Sequence, residues 1–167
     1  SQGYLITDFS GSYDDIFDIV LLPENKIIAA GYASIPYEGA DFAMVKYNIN
    51  GTIDNSFGIN GKVVTHFPTQ SAGAIKIALL DNKIFLLGNL KNDSVTAMGI
   101  ACYNNDGSLD SSFGLYGKMS INIPITINDI ELQYENKFII CGRLSNKDID
   151  DIVLMRFSLN TENINKT

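Results

Sequence analysis

The stretch NGTIDNSFGINGKVV at residues 50–64 and the stretch DGSLDSSFGLYGKMS at residues 106–120 are two copies of one pattern. We call residues 48–61 joint 1 and residues 104–117 joint 2. At a constant offset of about 56 residues, Tyr47, Gly51, Asp54, Phe57, Gly58 and Gly61 recur as Tyr103, Gly107, Asp110, Phe113, Gly114 and Gly117. A fixed period of this length is the sequence signature of a repeat fold.

The repeat extends outward on both sides of the joints. ENKIIAAGY at residues 24–32 matches DNKIFLLGN at 81–89 and ENKFIICGR at 135–143. GYLITDF from Gly3 matches GKVVTHF from Gly61 and GKMSINI from Gly117, so the sequence starts as if cut within a joint. We therefore predict one repeat domain over residues 1–167, with repeats at about 3–60, 61–116 and 117–160 and a degenerate C-terminal tail at 161–167.

Each repeat is predicted to contain four short strands, which in the first copy lie at residues 4–9, 16–22, 26–32 and 42–48. No window has a helical period, so the chain is predicted to be all-β. The fourth strand is apolar on both faces, which predicts that other layers cover it on both sides. The fold prediction is a β-propeller of about three four-stranded antiparallel blades, with a β-sandwich as the alternative.

The joints are predicted to be structural connections. Asn-Gly and Asp-Gly favour turns, because glycine adopts positive φ without steric cost. We expect the carboxylates of Asp54 and Asp110 to accept backbone N–H groups, and the rings of Phe57 and Phe113 to anchor the loop beneath a sheet. A calcium site is the alternative, since oxygen ligands recur at alternate positions. Its candidate ligands are Asn50, Asp54, Asp106 and Asp110.

Composition excludes several functional classes. Nineteen acidic and twelve basic residues give a formal charge of −7, which argues against nucleic acid as a partner. No apolar run is long enough to span a membrane. Cys102 and Cys141 lie in apolar strands without metal-ligand spacing, and we expect buried free thiols, with a disulfide left open.

The candidates for chemistry are few. His66 is the only histidine, and we interpret it as a surface or channel residue. Two acidic clusters occur, one with Asp14, Asp15 and Asp18 and one with Asp148, Asp150 and Asp151. Paired acids could hydrolyse a glycosidic bond, so a glycosidase- or lyase-like propeller with channel-lining carboxylates is the enzymatic alternative.

The string Tyr-Asn-x-x-Gly-[Thr/Ser]-[Ile/Leu]-Asp-x-Ser-Phe-Gly-x-x-Gly-Lys, with ENKIIAAGY upstream, resembles the bacterial delta-60 repeat. The resemblance covers essentially the whole chain, and repeat 1 matches best, through Asp41, Phe42, Ala43 and the residues of joint 1. The second repeat has Ala97-Met98 at the position of Asp41-Phe42, and the third lacks the joint. The resemblance implies a propeller-type repeat in a large bacterial, sometimes secreted or surface-exposed, protein, and it implies no catalytic residue.

The function predicted first is a non-enzymatic scaffold or a module that recognises an unidentified protein or small molecule. The expected contact loops are residues 34–41 and 90–96, with Tyr37, Glu38, Asp41, Asn92 and Asp93 as candidates. A calcium-stabilised structural module is a further alternative. Because closed propellers have four to eight blades, three repeats predict either a fragment of a longer propeller or half of a six-bladed ring, and hence a dimer.

Overall fold

A computed structural model describes residues 3–9, 13–35, 39–92, 95–122, 125–133, 137–146 and 149–158. In these residues the chain forms strands joined by turns and one short 3-10 turn at Pro23–Asn25. The strands are β1 (Asp14–Leu21), β2 (Ile27–Ile35), β3 (Gly39–Tyr47), β4 (Lys62–Thr65), β5 (Ser71–Leu80), β6 (Lys83–Asn92), β7 (Val95–Tyr103), β8 (Lys118–Asn122), β9 (Thr126–Gln133), β10 (Lys137–Asn146) and β11 (Ile149–Ser158). The all-β prediction is confirmed.

The strands pair as antiparallel meanders. Strands β1 to β4 form sheet A, β5 to β8 form sheet B, and β9 to β11 form sheet C. In each sheet, consecutive strands are hydrogen-bonded neighbours, as short connections favour. A single parallel pair, Ala40 with Ser71, links sheets A and B.

The fourth strand of a sheet comes from the next sequence repeat. β4 follows joint 1 and pairs with β3, and β8 follows joint 2 and pairs with β7. The joints therefore connect the third and fourth strands within one sheet. The predicted strand at residues 4–9 is wrong: this segment has no strand pairing and packs against sheet A through Phe9. The predicted strands at 16–22, 26–32 and 42–48 correspond to β1, β2 and β3.

A β-bulge recurs at one position in each sheet. The register between the first two strands shifts between Ile16 and Asp18 in sheet A and between Ala74 and Lys76 in sheet B, with the same shift in sheet C. Gly31, Gly88 and Gly142 lie opposite these bulges. A Cβ at any of the three would overlap the backbone carbonyl of the neighbouring strand, which explains why glycine recurs there.

The core lies between the sheets. The A–B interface buries Phe42 and Met44 of sheet A against Ala74, Ile77 and other residues of sheet B. The B–C interface buries Met98 and Ile100 of sheet B against sheet C. In β3 the five residues from Asp41 to Val45 are all buried, so the predicted cover on both faces of this strand is confirmed.

Candidate functional site

Joint 1 and joint 2 have the same local structure. In joint 1, Gly51 donates its N–H to the Asn48 carbonyl and Phe57 donates to the Asp54 carbonyl; in joint 2, Gly107 and Phe113 make the equivalent bonds to Asn104 and Asp110. Gly58 has a φ of 54°, and a Cβ there would overlap the Lys62 carbonyl oxygen. Phe57 and Phe113 are buried in the two interfaces.

A lysine from the start of the second strand holds the aspartate of each joint. Lys26 Nζ lies 3.0 Å from Asp54 Oδ2, and Lys83 Nζ lies 2.9 Å from Asp110 Oδ2. The second oxygen of each carboxylate accepts bonds from the N–H and hydroxyl of the serine two residues later, Ser56 or Ser112. This pairing explains the lysine of ENK in repeat 1 and of DNK in repeat 2.

These contacts lower the pKa of both carboxyl groups. The Ser56 hydroxyl, followed by Lys26, lowers the pKa of Asp54 from 3.8 to about 2. Lys83, followed by the Ser112 hydroxyl, lowers the pKa of Asp110 from 3.8 to about 2. Hydrogen bonds and a nearby positive charge both favour the ionised form, so each joint carries a permanently charged carboxylate at neutral pH.

The four calcium candidates make turn contacts in the same loops. Asn50 Oδ1 accepts bonds from the Thr52 N–H and hydroxyl, and Asp106 Oδ1 accepts the equivalent bonds from Ser108. The ammonium groups of Lys26 and Lys83 contact Asp54 Oδ2 and Asp110 Oδ2. Among the described residues, His, Cys, Asp and Glu side chains form no group of three that could hold a metal ion.

Joint 2 also contacts joint 1 across the A–B interface. Gly58 donates its N–H to the Asp106 carbonyl at 2.7 Å. Gly107 lies on the Phe57 ring, where a Cβ would come 3.1 Å from Cε2. Each joint thus connects two strands of its own sheet, and the two joints together fix how sheets A and B lie against each other.

An open cleft of about 720 Å³ lies where the first strands of the three sheets meet. Its wall includes residues at and just after the bulges: Phe17 and Asp18 of β1, Ile75 and Lys76 of β5, and Asn128 and Asp129 of β9. The other side chains at the cleft include Asn89, Leu90, Lys91, Thr96 and Arg143. The cleft therefore combines apolar surface with both signs of charge.

Lys76 is the centre of the charges at the cleft. Its Nζ lies 2.7 Å from Glu131 Oε1 and 3.8 Å from Asp129 Oδ1. The hydrogen bond to Glu131 raises the pKa of Lys76, and the negative charges of Asp18, Glu131 and Asp129 act in the same direction. Lys76 is therefore protonated at neutral pH.

Two further polar contacts cross the interfaces near the cleft. Asp18 Oδ2 accepts the Ile77 N–H at 2.8 Å, from sheet A to sheet B. The side-chain amide of Asn89 in sheet B donates a hydrogen bond to the carbonyl of Ile127 in sheet C and accepts one from the Ile127 N–H, each at 2.9 Å. Asp18, a candidate acid from the sequence, thus accepts a backbone bond that joins two sheets.

His66 has an acidic partner that the sequence did not reveal. Its Nδ1 lies 3.0 Å from Asp41 Oδ1, while two thirds of the His66 side chain is exposed. Asp41 was expected in a contact loop, and that expectation is corrected: Asp41 lies within β3, and its side chain is buried. The strand begins at Gly39, which draws Asp41 into the sheet.

The other candidate acids are dispersed. Asp14 Oδ2 accepts the Phe9 N–H, and Asp15 Oδ1 accepts the Ile16 N–H. Asp150 pairs with Arg143 at 3.1 Å, and Asp151 is exposed in β11. Asp148 lies outside the described residues.

The predicted contact loops are described only in part. Asn92 ends β6 and is exposed, whereas Tyr37, Glu38 and Asp93 lie outside the described residues. Both ends of the second loop, at Leu90 and Thr96, line the cleft. The described residues contain no helix long and apolar enough to cross a membrane.

Both cysteines are free thiols. Cys102 is buried at the B–C interface, and Cys141 is partly buried in β10. Burial raises the pKa of the Cys102 thiol to about 12. The open question of a disulfide is thus answered in favour of free thiols, and Cys102 is an unreactive core residue.

Comparison with known proteins supports the repeat fold. A family described as a domain of unknown function (DUF5122) of the beta-propeller type matches residues 22–57 and residues 79–113. Each matched segment begins beside the second strand of a sheet and ends at the joint phenylalanine, so the two matches cover the same part of consecutive repeats. No curated protein and no solved structure matches the chain. The two segments are thus similar to a propeller-type repeat, the kind of fold that the delta-60 resemblance implies.

Proposed function

We propose that the chain is a non-enzymatic β-propeller module in which sheets A, B and C are blades, and that the cleft binds a peptide segment of a partner protein. The supporting observation is a contrast between repeated and varied positions. The joints and the bulge glycines keep the same residues from repeat to repeat, because the fold requires them. At the cleft, equivalent positions carry different side chains.

Equivalent positions at and beside the cleft carry different side chains. Phe17, Ile75 and Asn128 are the three bulge residues; the positions that follow carry Asp18, Lys76 and Asp129. In the second strands, Tyr32, Asn89 and Arg143 follow the repeated glycine. A position that serves only the sheet has no need of this diversity, whereas a binding site needs a few specific polar groups set in apolar surface.

The cleft suits a peptide for three reasons. Its wall carries both cations and carboxylates, which can meet the charged side chains and termini of a polypeptide. Phe17, Ile75 and Leu90 add apolar surface. The cleft is open to solvent, so a chain segment can enter without any sheet moving.

Peptide selection tests this proposal. A phage library of random twelve-residue peptides is selected on the protein, and one enriched peptide is measured by titration calorimetry. Lys91→Glu and Phe17→Ser change the cleft, and we expect each to weaken the peptide about tenfold or more, as for a central contact of an interface. Tyr116→Ser is the matched control, because Tyr116 is an exposed aromatic residue of joint 2, and binding should not change. Equal affinity for all three variants would contradict the proposal.

A further inference from the structure

The face of sheet A that points away from sheet B is uncovered along its first strand. Ile16, Ile19 and Leu21 are 46%, 62% and 69% exposed. The equivalent residues of sheet B, in register from the bulge, are Ala74, Ile77 and Leu79 at 0%, 5% and 37%. Those of sheet C are Ile127, Ile130 and Leu132 at 2%, 1% and 38%. In sheets B and C these positions pack on the preceding sheet; in sheet A they face solvent.

The opposite face of sheet C is uncovered in the same way. Ile152 and Leu154 of β11 are 95% and 75% exposed. Phe42 and Met44 hold these positions in sheet A, and Met98 and Ile100 hold them in sheet B, and none of the four is more than 1% exposed. The described residues thus present two complementary apolar faces. The exposed face of sheet C corresponds to the face that sheet A packs against sheet B. The exposed face of sheet A corresponds to the face that sheet B packs against sheet A.

Residues 3–9 occupy, beside sheet A, the place that β4 occupies beside sheet B. Thr7 Oγ1 lies 2.6 Å from the Tyr47 hydroxyl, as Thr65 of β4 lies 2.6 Å from the Tyr103 hydroxyl. Lys62 donates to the Asp8 carbonyl as Lys118 donates to the His66 carbonyl. Leu5 packs on Gly51 as Val63 packs on Gly107. Residues 3–9 are thus positioned as a fourth strand would be, although they form no strand pairing with any of the described residues.

The charges of the two faces are also complementary. Arg143 holds the position of Asn89, which hydrogen-bonds Ile127 of the next sheet. The residue equivalent to Ile127 in sheet A is Ile16, and it follows the exposed Asp15. Packing sheet C of one copy on sheet A of another would therefore bring Arg143, which pairs with Asp150 in its own sheet, toward the oppositely charged Asp15.

We propose that two copies of this chain pair head to tail: the open face of sheet C in each copy covers the open face of sheet A in the other. Residues 3–9 of one copy then add to β11 of its partner as the fourth strand of sheet C. The β3–β4 register places Thr7 opposite the partner's Ile152 and Ile6 opposite the partner's Val153. Two copies give six sheets, within the four to eight of closed propellers. This pairing does not depend on the peptide site proposed above.

Solution mass is the first test. Light scattering coupled to gel filtration should give twice the 18.3 kDa chain mass. Ile19→Asp on the sheet A face and Leu154→Asp on the sheet C face should each return the protein to one chain mass with circular dichroism unchanged, since both side chains are exposed within one copy. Ile59→Asp is the control, because Ile59 is an exposed residue of joint 1, and its mass should stay that of the pair. A wild-type protein of one chain mass would overturn the proposal.

Mixing the two face variants tests the head-to-tail arrangement. Ile19→Asp keeps an intact sheet C face and Leu154→Asp keeps an intact sheet A face, so an equimolar mixture can form one interface although neither variant associates alone. We expect the mixture to show species of twice the chain mass. No association in the mixture, or wild-type assemblies larger than two copies, would contradict closure by two head-to-tail contacts.

A cross-link tests the register. The double variant Ile6→Cys/Val153→Cys should form a reducible disulfide between copies under mild oxidation, because directly opposed strand residues lie within disulfide reach. The double variant Ile6→Cys/Met155→Cys shifts one cysteine by two residues and should cross-link far less. Equal cross-linking of both variants, or a yield no greater than that of the native cysteines alone, would rule out this strand pairing.

Discussion

The A–B and B–C interfaces use the same repeat positions with different chemistry. At the A–B interface, the Tyr103 hydroxyl bonds Thr65, the Tyr32 ring lies on Gly73, and joint 2 packs on joint 1. At the B–C interface, Phe157 and Ile121 replace the tyrosine and threonine, and the Asn89 amide bonds Ile127. The glycines and the joint phenylalanines stay the same. The difference shows that the backbone arrangement is fixed by a few positions, while the contacts between sheets can be polar or apolar.

The largest expected effect comes from the joint phenylalanines. Phe57→Ala and Phe113→Ala should each lower the free energy of unfolding by about 3–5 kcal/mol, because each removes a buried ring from an interface. The loss for Phe57→Ala should lie at the upper end of this range, because Phe57 is fully buried and joint 2 covers it. Phe113 is 4% exposed. Urea unfolding followed by circular dichroism measures both.

The exposed Ile59 of joint 1 provides the control for this pair. Ile59→Ala should change stability by less than about 0.5 kcal/mol. A larger loss for Phe113→Ala than for Phe57→Ala would contradict the covering role of joint 2.

The buried hydroxyl pair at the A–B interface gives the next effect. Tyr103→Phe should cost about 1–2 kcal/mol, because it leaves the buried Thr65 hydroxyl without this partner. Adding Thr65→Val should recover part of that loss, because the double variant has the apolar pair that the B–C interface uses at Ile121 and Phe157. A double-mutant cycle by urea unfolding measures this coupling.

The converse change at the B–C interface sharpens the comparison. Phe157→Tyr should destabilise the protein, and Ile121→Thr introduced with it should reduce the loss. Strictly additive losses at both interfaces would show that the hydroxyls do not act as a pair.

The smallest effect is expected at the joint carboxylates. Asp54→Asn and Asp110→Asn should each cost about 1 kcal/mol at pH 7, allowing for solvent screening of these partly accessible ion pairs. Asp54→Asn should destabilise the protein more than Asp110→Asn, because Lys46 lies 3.8 Å from Asp54 as a second cation. The residue equivalent to Lys46 beside Asp110 is the uncharged Cys102.

The pH dependence of this effect has a definite sign. The folded pKa of both groups is about 2, below the ordinary 3.8, so the stabilisation is complete above about pH 4 and is lost as the pH falls toward 2. The stability difference between wild type and each variant should shrink over that range. Glu24→Gln is the control, since Glu24 is an exposed carboxylate near Lys26. A difference that grew as the pH fell would contradict the ion-pair assignment.

The sequence predicted the repeat, the strands and the structural role of the joints, because these depend on local patterns. It placed the repeat boundary one strand away from the sheet boundary, since a periodic sequence does not show which strand starts a sheet. Asp54 and Asp110 accept serine N–H groups as predicted, but the lysine partners come from another strand and are visible only through the register. The bulge explains Gly31, Gly88 and Gly142 by a clash within one sheet, which the repeat pattern alone did not reveal.

The side-chain pairs formed between elements distant in sequence were the least predictable. Lys76 meets Glu131 across two sheets, and Asp41 meets His66 only because β3 begins two residues before Asp41. Pairs formed between elements distant in sequence depend on how the sheets pack, and no periodic pattern records that packing.

The meander connectivity has a consequence for how the chain folds. Nearly every paired strand in sheets A and B has its partner immediately before or after it in sequence, so the loops closed by pairing are short. Short loops cost little chain entropy to close, and local contacts speed folding. We expect sheet A to be able to form during synthesis before sheet C has left the ribosome. The interfaces between sheets, rather than the sheets themselves, are then the last part of the structure to assemble.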